Sequence, residues 1–188
     1  MVPPPPVAVT IAVAPPHEKD RLRFMIEKLA ELEVRRILFL RTRFGAGRIP
    51  DRAKAIGWAT SALEQSRGAW LMEVANEWTE GAILDPEKVW FANQGGSVPP
   101  ATLPAEITVA IGPEGGWAEG EIPPGAFHLG LGRTVLRVET AAVVAAGMFR
   151  SRALGLTGKR MACPRAAATL RGNLTSRGRR AKGKIGRL

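Results

Sequence analysis

The 188-residue sequence holds a single cysteine, two histidines and no tyrosine. One cysteine makes no internal disulfide, and no Cys/His group has zinc-ligand spacing. A disulfide scaffold and a structural zinc site are thereby excluded, and no metal is expected. No apolar run approaches the roughly 20 residues that span a bilayer. The opening MVPPPPVAVTIAVAPP has no Lys or Arg ahead of its apolar stretch, so it lacks the charged start of a secretory signal. A soluble, cytoplasmic protein is expected. No period of a repeat, collagen or coiled-coil type recurs. Acidic residues are missing from one region altogether: residues 150–188 carry 12 Lys and Arg and no Asp or Glu, whereas residues 1–149 carry 15 basic and 17 acidic side chains. The net charge of +10 therefore belongs to the last 39 residues. A cationic arm on a near-neutral body attracts polyanions through counterion release, nucleic acid being the commonest.

What is present reads as an ordered body. An apolar fraction of 45% suffices for a core. Prolines 3–6 form a stiff lead-in over residues 1–6. Residues 7–13 (VAVTIAV) are a β-branched run suited to a strand buried on both faces. Leu22, Met25, Ile26, Leu29 and Leu32 recur at helical spacing over residues 18–33. Residues 36–40 (RILFL) predict a second strand. Residues 51–66 predict a second helix with Ala55, Trp58, Ala59, Ala62 and Leu63 on its buried side and Asp51 as cap. After Trp70 the pattern weakens. Short apolar runs at 89–92, 107–111 and 127–131 predict further strands, residues 93–105 read as loop, and the alanine-rich stretch 137–154 has helical length. Alternating strands and helices give an α/β class with a mainly parallel sheet over residues 7–157. Glycines among the charges of residues 158–188 suggest a flexible basic extension.

Two glycine-bearing segments follow apolar strands: Ile111 with the run GPEGG at residues 112–116, and LGRTVLRVETA at residues 131–141. Open α/β sheets place their ligands at such strand ends, and glycine lets a ligand approach the backbone closely. Neither segment is a Walker or dinucleotide-binding loop. By glycine count alone each is more often a structural turn than a binding site.

As a pair, these segments resemble the RsmE family of ribosomal RNA methyltransferases, within the SPOUT superfamily of knotted S-adenosylmethionine enzymes. KLAELEV at residues 28–34 and EQSR at residues 64–67 are similar to two further family segments, with Glu33 standing where the family has glycine. The resemblance implies a C-terminal deep trefoil knot, a homodimer, and methyl transfer to N3 of a uridine in 16S ribosomal RNA. It implies S-adenosylmethionine held by Ile111, Gly112, Glu114, Gly115 and Gly116 on one wall and by Leu131, Gly132, Val135 and Leu136 on the other. Arg137 is the candidate for stabilising charge on the base, with Glu139 and Glu114 to orient it or accept a proton. Glu139 reads equally as the first turn of a helix, where its charge favours the macrodipole. Trp117, directly after GPEGG, is a core residue or a cover for the cofactor.

Family members carry a PUA-like RNA-binding barrel ahead of the knotted domain, whereas here the first strand starts at residue 7. The tail, with Lys159, Arg160, Arg179 and Arg180, is expected to replace part of that RNA surface; Arg41 and Arg43 follow the second strand, where the family carries basic residues near the RNA, although a solvated surface is the simpler account of both. The partner implied is ribosomal RNA or the small ribosomal subunit. Other functions compatible with these residues are a non-catalytic RNA-binding protein on the same scaffold, or a SPOUT enzyme acting on another RNA.

Overall fold

The β-branched run at the start forms strand β1 (Ala8–Val13) in the computed structural model, which describes residues 3–78 and 88–156. Helix α1 (Lys19–Glu31) follows, then β2 (Arg36–Leu40), α2 (Arg52–Ser66) and β3 (Glu73–Trp78). The second half comprises β4 (Val89–Ser97), β5 (Glu106–Ile111), β6 (Phe127–Leu129) and α3 (Val138–Ala153). The six strands of the described residues are all parallel, in the order β3-β2-β1-β5-β4-β6. The expected α/β class and parallel sheet are present.

Strand periodicity sorts the core into two faces. Ile11, Val13, Ile37, Phe39, Val109 and Leu129 point to the face covered by helices, where they meet Met25, Ile26 and Leu29 of α1, Ala59 of α2, and Ala142, Ala145 and Phe149 of α3. Alanines on α2 and α3 let those helices lie close to the sheet. On the opposite face Ala12, Leu40, Phe91 and Ala110 are covered by Trp117, Ile122 and Ala126 from the β5–β6 connection. Thr10 and Thr108, farther from that connection, are only half-buried, so β1 is sealed on both faces at its carboxyl end alone.

Three expectations change. β3 is a strand where the sequence pattern is weak; among the described strands it pairs only with β2, so little alternation is demanded of it. β4 runs on through residues 93–97, read above as loop, by breaking register between Ala92 and Ser97, with Gly95 at φ 77°. β6 stops at Leu129, short of the expected residue 131. The tail residues Lys159, Arg160, Arg179 and Arg180 lie outside the described residues.

Glu33 shows what its position demands. α1 ends with Glu33 N–H donating to Ala30 O and Val34 N–H to Leu29 O, and Glu33 takes φ 56°. That left-handed turn is where glycine is the usual residue. Here the glutamate side chain is engaged instead, in an ion pair with Arg150 of α3.

Candidate active site

The two glycine segments reach one cleft because β5 and β6 flank β4, so all three carboxyl ends open at the same edge. Ile111 closes β5, and the chain turns at Pro113–Gly116, where Gly116 N–H donates to Pro113 O and Gly116 adopts φ 77°. Gly112 lies flat on Trp117: a Cβ there would fall 2.9 Å from the indole Cε2. The indole is fixed in turn, donating from Nε1 to Ala92 O at 3.2 Å and meeting Phe91 edge-on at 5.4 Å. Trp117 thus joins the sheet packing and lines the cleft as well.

The other wall starts at a backbone crossing. Gly130 passes so close to the end of β4 that a Cβ would lie 2.2 Å from Gly96 O, and Gly130 N–H donates to Ser97 O at 2.9 Å. Two glycines facing each other are what this approach requires. Beyond it Leu131 and Leu136 lean on the core, Gly132 takes φ 147°, and Arg137 caps α3 in an extended conformation. Residues 113–126 make turns and no helix, consistent with Gly120, Pro123 and Pro124 in that stretch.

The resulting cleft has a volume of about 720 Å³, within the range of small-molecule sites. Ile111, Gly112, Glu114 and Gly116 line one side, and Leu131, Gly132, Val135, Leu136 and Arg137 the other. These residues from two distant segments share one space. Gly115 supports the turn from outside: Phe44 packs against it, and a Cβ would approach Phe44 Cβ to 3.0 Å. Glu139 is not among the lining residues. It is 7% exposed and turned towards α1, with Oε1 3.8 Å from Arg21 Nε. Its Oε2 has no hydrogen-bond partner among the described residues. Arg137, by contrast, is exposed at the cleft and forms no ion pair with any described residue. Arg41 and Arg43 are exposed on the loop after β2, and Arg43 N–H donates to Glu121 Oε1 at 2.6 Å. The second oxygen of Glu121 accepts from Ala118 N–H, so this carboxylate ties the β2–α2 loop to the β5–β6 connection.

Lining residues that the sequence did not single out include Asn93 and Gln94 of β4 and Glu119. They enter because β4 lies between β5 and β6, a fact of topology that local pattern does not carry. The paired glycines at 95–96 were the one local signal of a close crossing.

The cleft suits a ligand with an apolar flat part and polar ends. Leucine and isoleucine side chains supply the walls, and backbone groups at the glycines supply polar contacts. Gly116 and Gly132 both line it, and a Cβ on either would meet no protein atom within 4 Å, so their backbones are open to approach.

Comparison with known proteins agrees with this geometry. The model of the RNA methyltransferase domain family matches residues 3–150. The chain is 34% identical over 115 residues to ribosomal RNA small subunit methyltransferase E of Synechocystis, an alignment covering 51% of this chain and 38% of that protein. The match thus spans well under half of that relative's length. Among solved structures, a proposed rRNA-methyltransferase of Porphyromonas gingivalis superposes with a TM-score of 0.73 at 25% identity, over 83% of this chain and 72% of the other. A proposed methyltransferase of Legionella pneumophila, solved with its cofactor SAM bound, superposes with a TM-score of 0.64 at 25% identity, over 78% and 66%.

Proposed function

Because this chain belongs to the RNA methyltransferase domain family, we propose that it is an S-adenosylmethionine-dependent ribosomal RNA methyltransferase that acts on N3 of a uridine in 16S ribosomal RNA. The observation that carries this reading is the single cleft walled by both glycine segments. The Synechocystis relative supports the ribosomal substrate, and the SAM-bound Legionella structure supports the cofactor.

Ile111, Gly112, Glu114 and Gly116 would hold the cofactor from one side, and Leu131, Gly132, Val135 and Leu136 from the other. Gly115 keeps the first turn in place by seating Phe44. When bound, S-adenosylmethionine supplies a methyl group already activated by its sulfonium, so the protein's task is alignment and exclusion of water. The uridine must lose its N3 proton, which leaves negative charge on the ring. Arg137, cationic and unpaired at the cleft, stabilises that charge. Glu114, exposed on the same cleft, would take the proton. Glu139 serves the site indirectly, holding the start of α3 against Arg21 and so fixing Arg137.

The same reading includes a chain that threads back through itself after β6, for which the Gly96–Gly130 crossing is the supporting contact. It also includes a homodimer in the cytoplasm, and an RNA surface formed by Arg41, Arg43 and the basic tail with Lys159, Arg160, Arg179 and Arg180. Deleting residues 159–188 is expected to weaken RNA binding and flatten its salt dependence while leaving cofactor affinity unchanged. The decisive measurement is mass spectrometry of 16S ribosomal RNA nucleosides with and without the gene. Loss of N3-methyluridine is expected, and an unchanged nucleoside profile would refute the substrate. Calorimetry with S-adenosylmethionine should show one site per subunit; no binding would favour a non-catalytic RNA-binding role.

A further inference from the structure

A second cavity, of about 560 Å³, opens where α1 and α2 begin and contains none of the residues assigned above. Pro16, Leu22, Ile49 and Trp58 make its apolar floor, and His17, Lys19, Arg48, Lys54 and Asp51 its polar rim. Three basic side chains face one carboxylate there. That carboxylate is already engaged, since Asp51 Oδ1 accepts from Lys54 N–H at 3.0 Å as the cap of α2. Neither Lys19, Arg48 nor Lys54 forms an ion pair with any described residue. Three basic groups and one carboxylate leave the rim with a net positive charge, which an anion would neutralise.

The lysines press on each other. The Lys54 ammonium is held below the usual lysine range, first by its hydrogen-bond contact with the Lys19 amine and then by the Lys19 charge; burial adds to this and Asp51 works against it. The Lys54 amine also stands 5.6 Å from the centre of the Trp58 ring, whose face steadies a cation. Both helix N-termini add partial positive charge at this end, and the N-cap of α1, Glu18, makes no side-chain capping bond.

One loop connects this pocket to the cleft. The β2–α2 segment carries Phe44 against Gly115 and contributes Ala46, Arg48 and Ile49 to the second cavity. Between them Gly47 is pressed onto the Pro15 carbonyl, where a Cβ would fall 1.8 Å from the oxygen. The loop therefore cannot lift from the β1–α1 turn without disturbing both spaces.

We propose that this pocket is a phosphate subsite for the RNA strand, with Lys19, Arg48 and Lys54 gripping backbone phosphates beside the cleft that receives the target base. The inference rests on the RNA-methyltransferase reading and assigns to the folded body a grip on RNA separate from that of the basic tail. Phosphodiester oxygens match clustered ammonium and guanidinium donors, and the apolar floor accommodates the ribose between phosphates.

The test uses the full chain and the double variant Lys19→Gln/Lys54→Gln, with Lys19→Arg/Lys54→Arg as the charge-keeping control. Both lysines are exposed, so neither variant should change the thermal midpoint. Binding of a fluorescein-labelled single-stranded RNA is followed by anisotropy over a range of salt concentrations. The glutamine variant is expected to bind roughly tenfold more weakly, with a log–log salt slope shallower by about 1.4, the value for two phosphate contacts on a single strand. The arginine variant should retain wild-type binding and slope. Unchanged affinity and slope in the glutamine variant would overturn the proposal. Tripolyphosphate calorimetry forms the second arm: binding that the glutamine change abolishes, with RNA affinity untouched, would assign the pocket to a free polyphosphate and also overturn it. Failure of the wild-type protein to bind S-adenosylmethionine would remove the methyltransferase reading, and the two phosphate arms would remain interpretable.

Discussion

The two halves of the sheet are assembled by different means. From β1 to α2 the chain is held by side chains: Met25, Ile26 and Leu29 fill the space over Ile11, Ile37 and Phe39, and Asp51 supplies a side-chain cap. From β4 to α3 the defining contacts are backbone against backbone or backbone against ring, at Gly96 with Gly130 and at Gly112 with Trp117. A side-chain core tolerates substitution in proportion to the volume lost. A glycine crossing has no such margin, because one added carbon meets a carbonyl that cannot move aside. The same absence of side chains leaves backbone groups open at the cleft. Substitutions in the first half should therefore change stability alone, whereas at the second-half glycines they should change stability and the shape of the cleft together.

The largest effect is expected from Arg137→Ala. Arg137 is exposed and forms no ion pair with any described residue, so its loss should leave the thermal midpoint unchanged while turnover falls on the order of 100- to 1,000-fold, as for removal of one charge-stabilising donor. Wild-type turnover in that variant would remove Arg137 from the mechanism. Gly130→Ala should damage both properties. Its Cβ would lie 2.2 Å from Gly96 O, and we expect a loss of about 3 kcal/mol in denaturant unfolding with cofactor binding abolished at temperatures where the protein is still folded. Retained cofactor affinity in Gly130→Ala would show that the crossing does not shape the cleft. Asp51→Ala is the opposite case. It removes the cap of α2 in the first half and should cost about 1 kcal/mol with no change in KM for the cofactor.

The division also explains what could be read in advance. Leu22, Met25, Ile26 and Leu29 declare α1 by their spacing, and Asp51 declares the start of α2, because each acts through its own side chain at short sequence range. The pairing of residues 112–116 with 131–137 was legible only through the resemblance of their motifs. No local pattern says that β4 comes to lie between β5 and β6. Asn93, Gln94 and Glu119 were missed for that reason, as was β3, an edge among the described strands whose sequence needs little alternation. Glu139 illustrates the converse. Its place in the motif suggested the cleft, but Glu139 lies in the first turn of α3 with its carboxylate towards Arg21, whereas Arg137 precedes the helix in an extended conformation. Lys19, Arg48 and Lys54 lie 35 residues apart at the extremes, and only the parallel return of α1 and α2 brings them to one rim.

The smallest effect should come from the joint between the halves. Glu33 ends α1 in the first half, and its ion pair reaches Arg150 on α3 in the second. Both side chains are mostly shielded, at 20% and 26% exposure, so the pair should be worth about 1 kcal/mol, the upper end for a partly exposed pair. The left-handed φ of 56° costs a non-glycine residue about 1 kcal/mol. These contributions oppose each other. Glu33→Ala keeps the strained backbone and loses the pair, so a destabilisation of about 1 kcal/mol is expected in urea unfolding. Glu33→Gly loses the pair but relieves the backbone, and should fall within roughly 0.5 kcal/mol of the wild type. Equal destabilisation by the two substitutions would mean that the turn carries no strain and that the whole loss comes from the ion pair. A glycine variant clearly more stable than the wild type would mean that the pair contributes nothing, leaving α3 held to α1 by apolar packing and the Arg21–Glu139 contact alone.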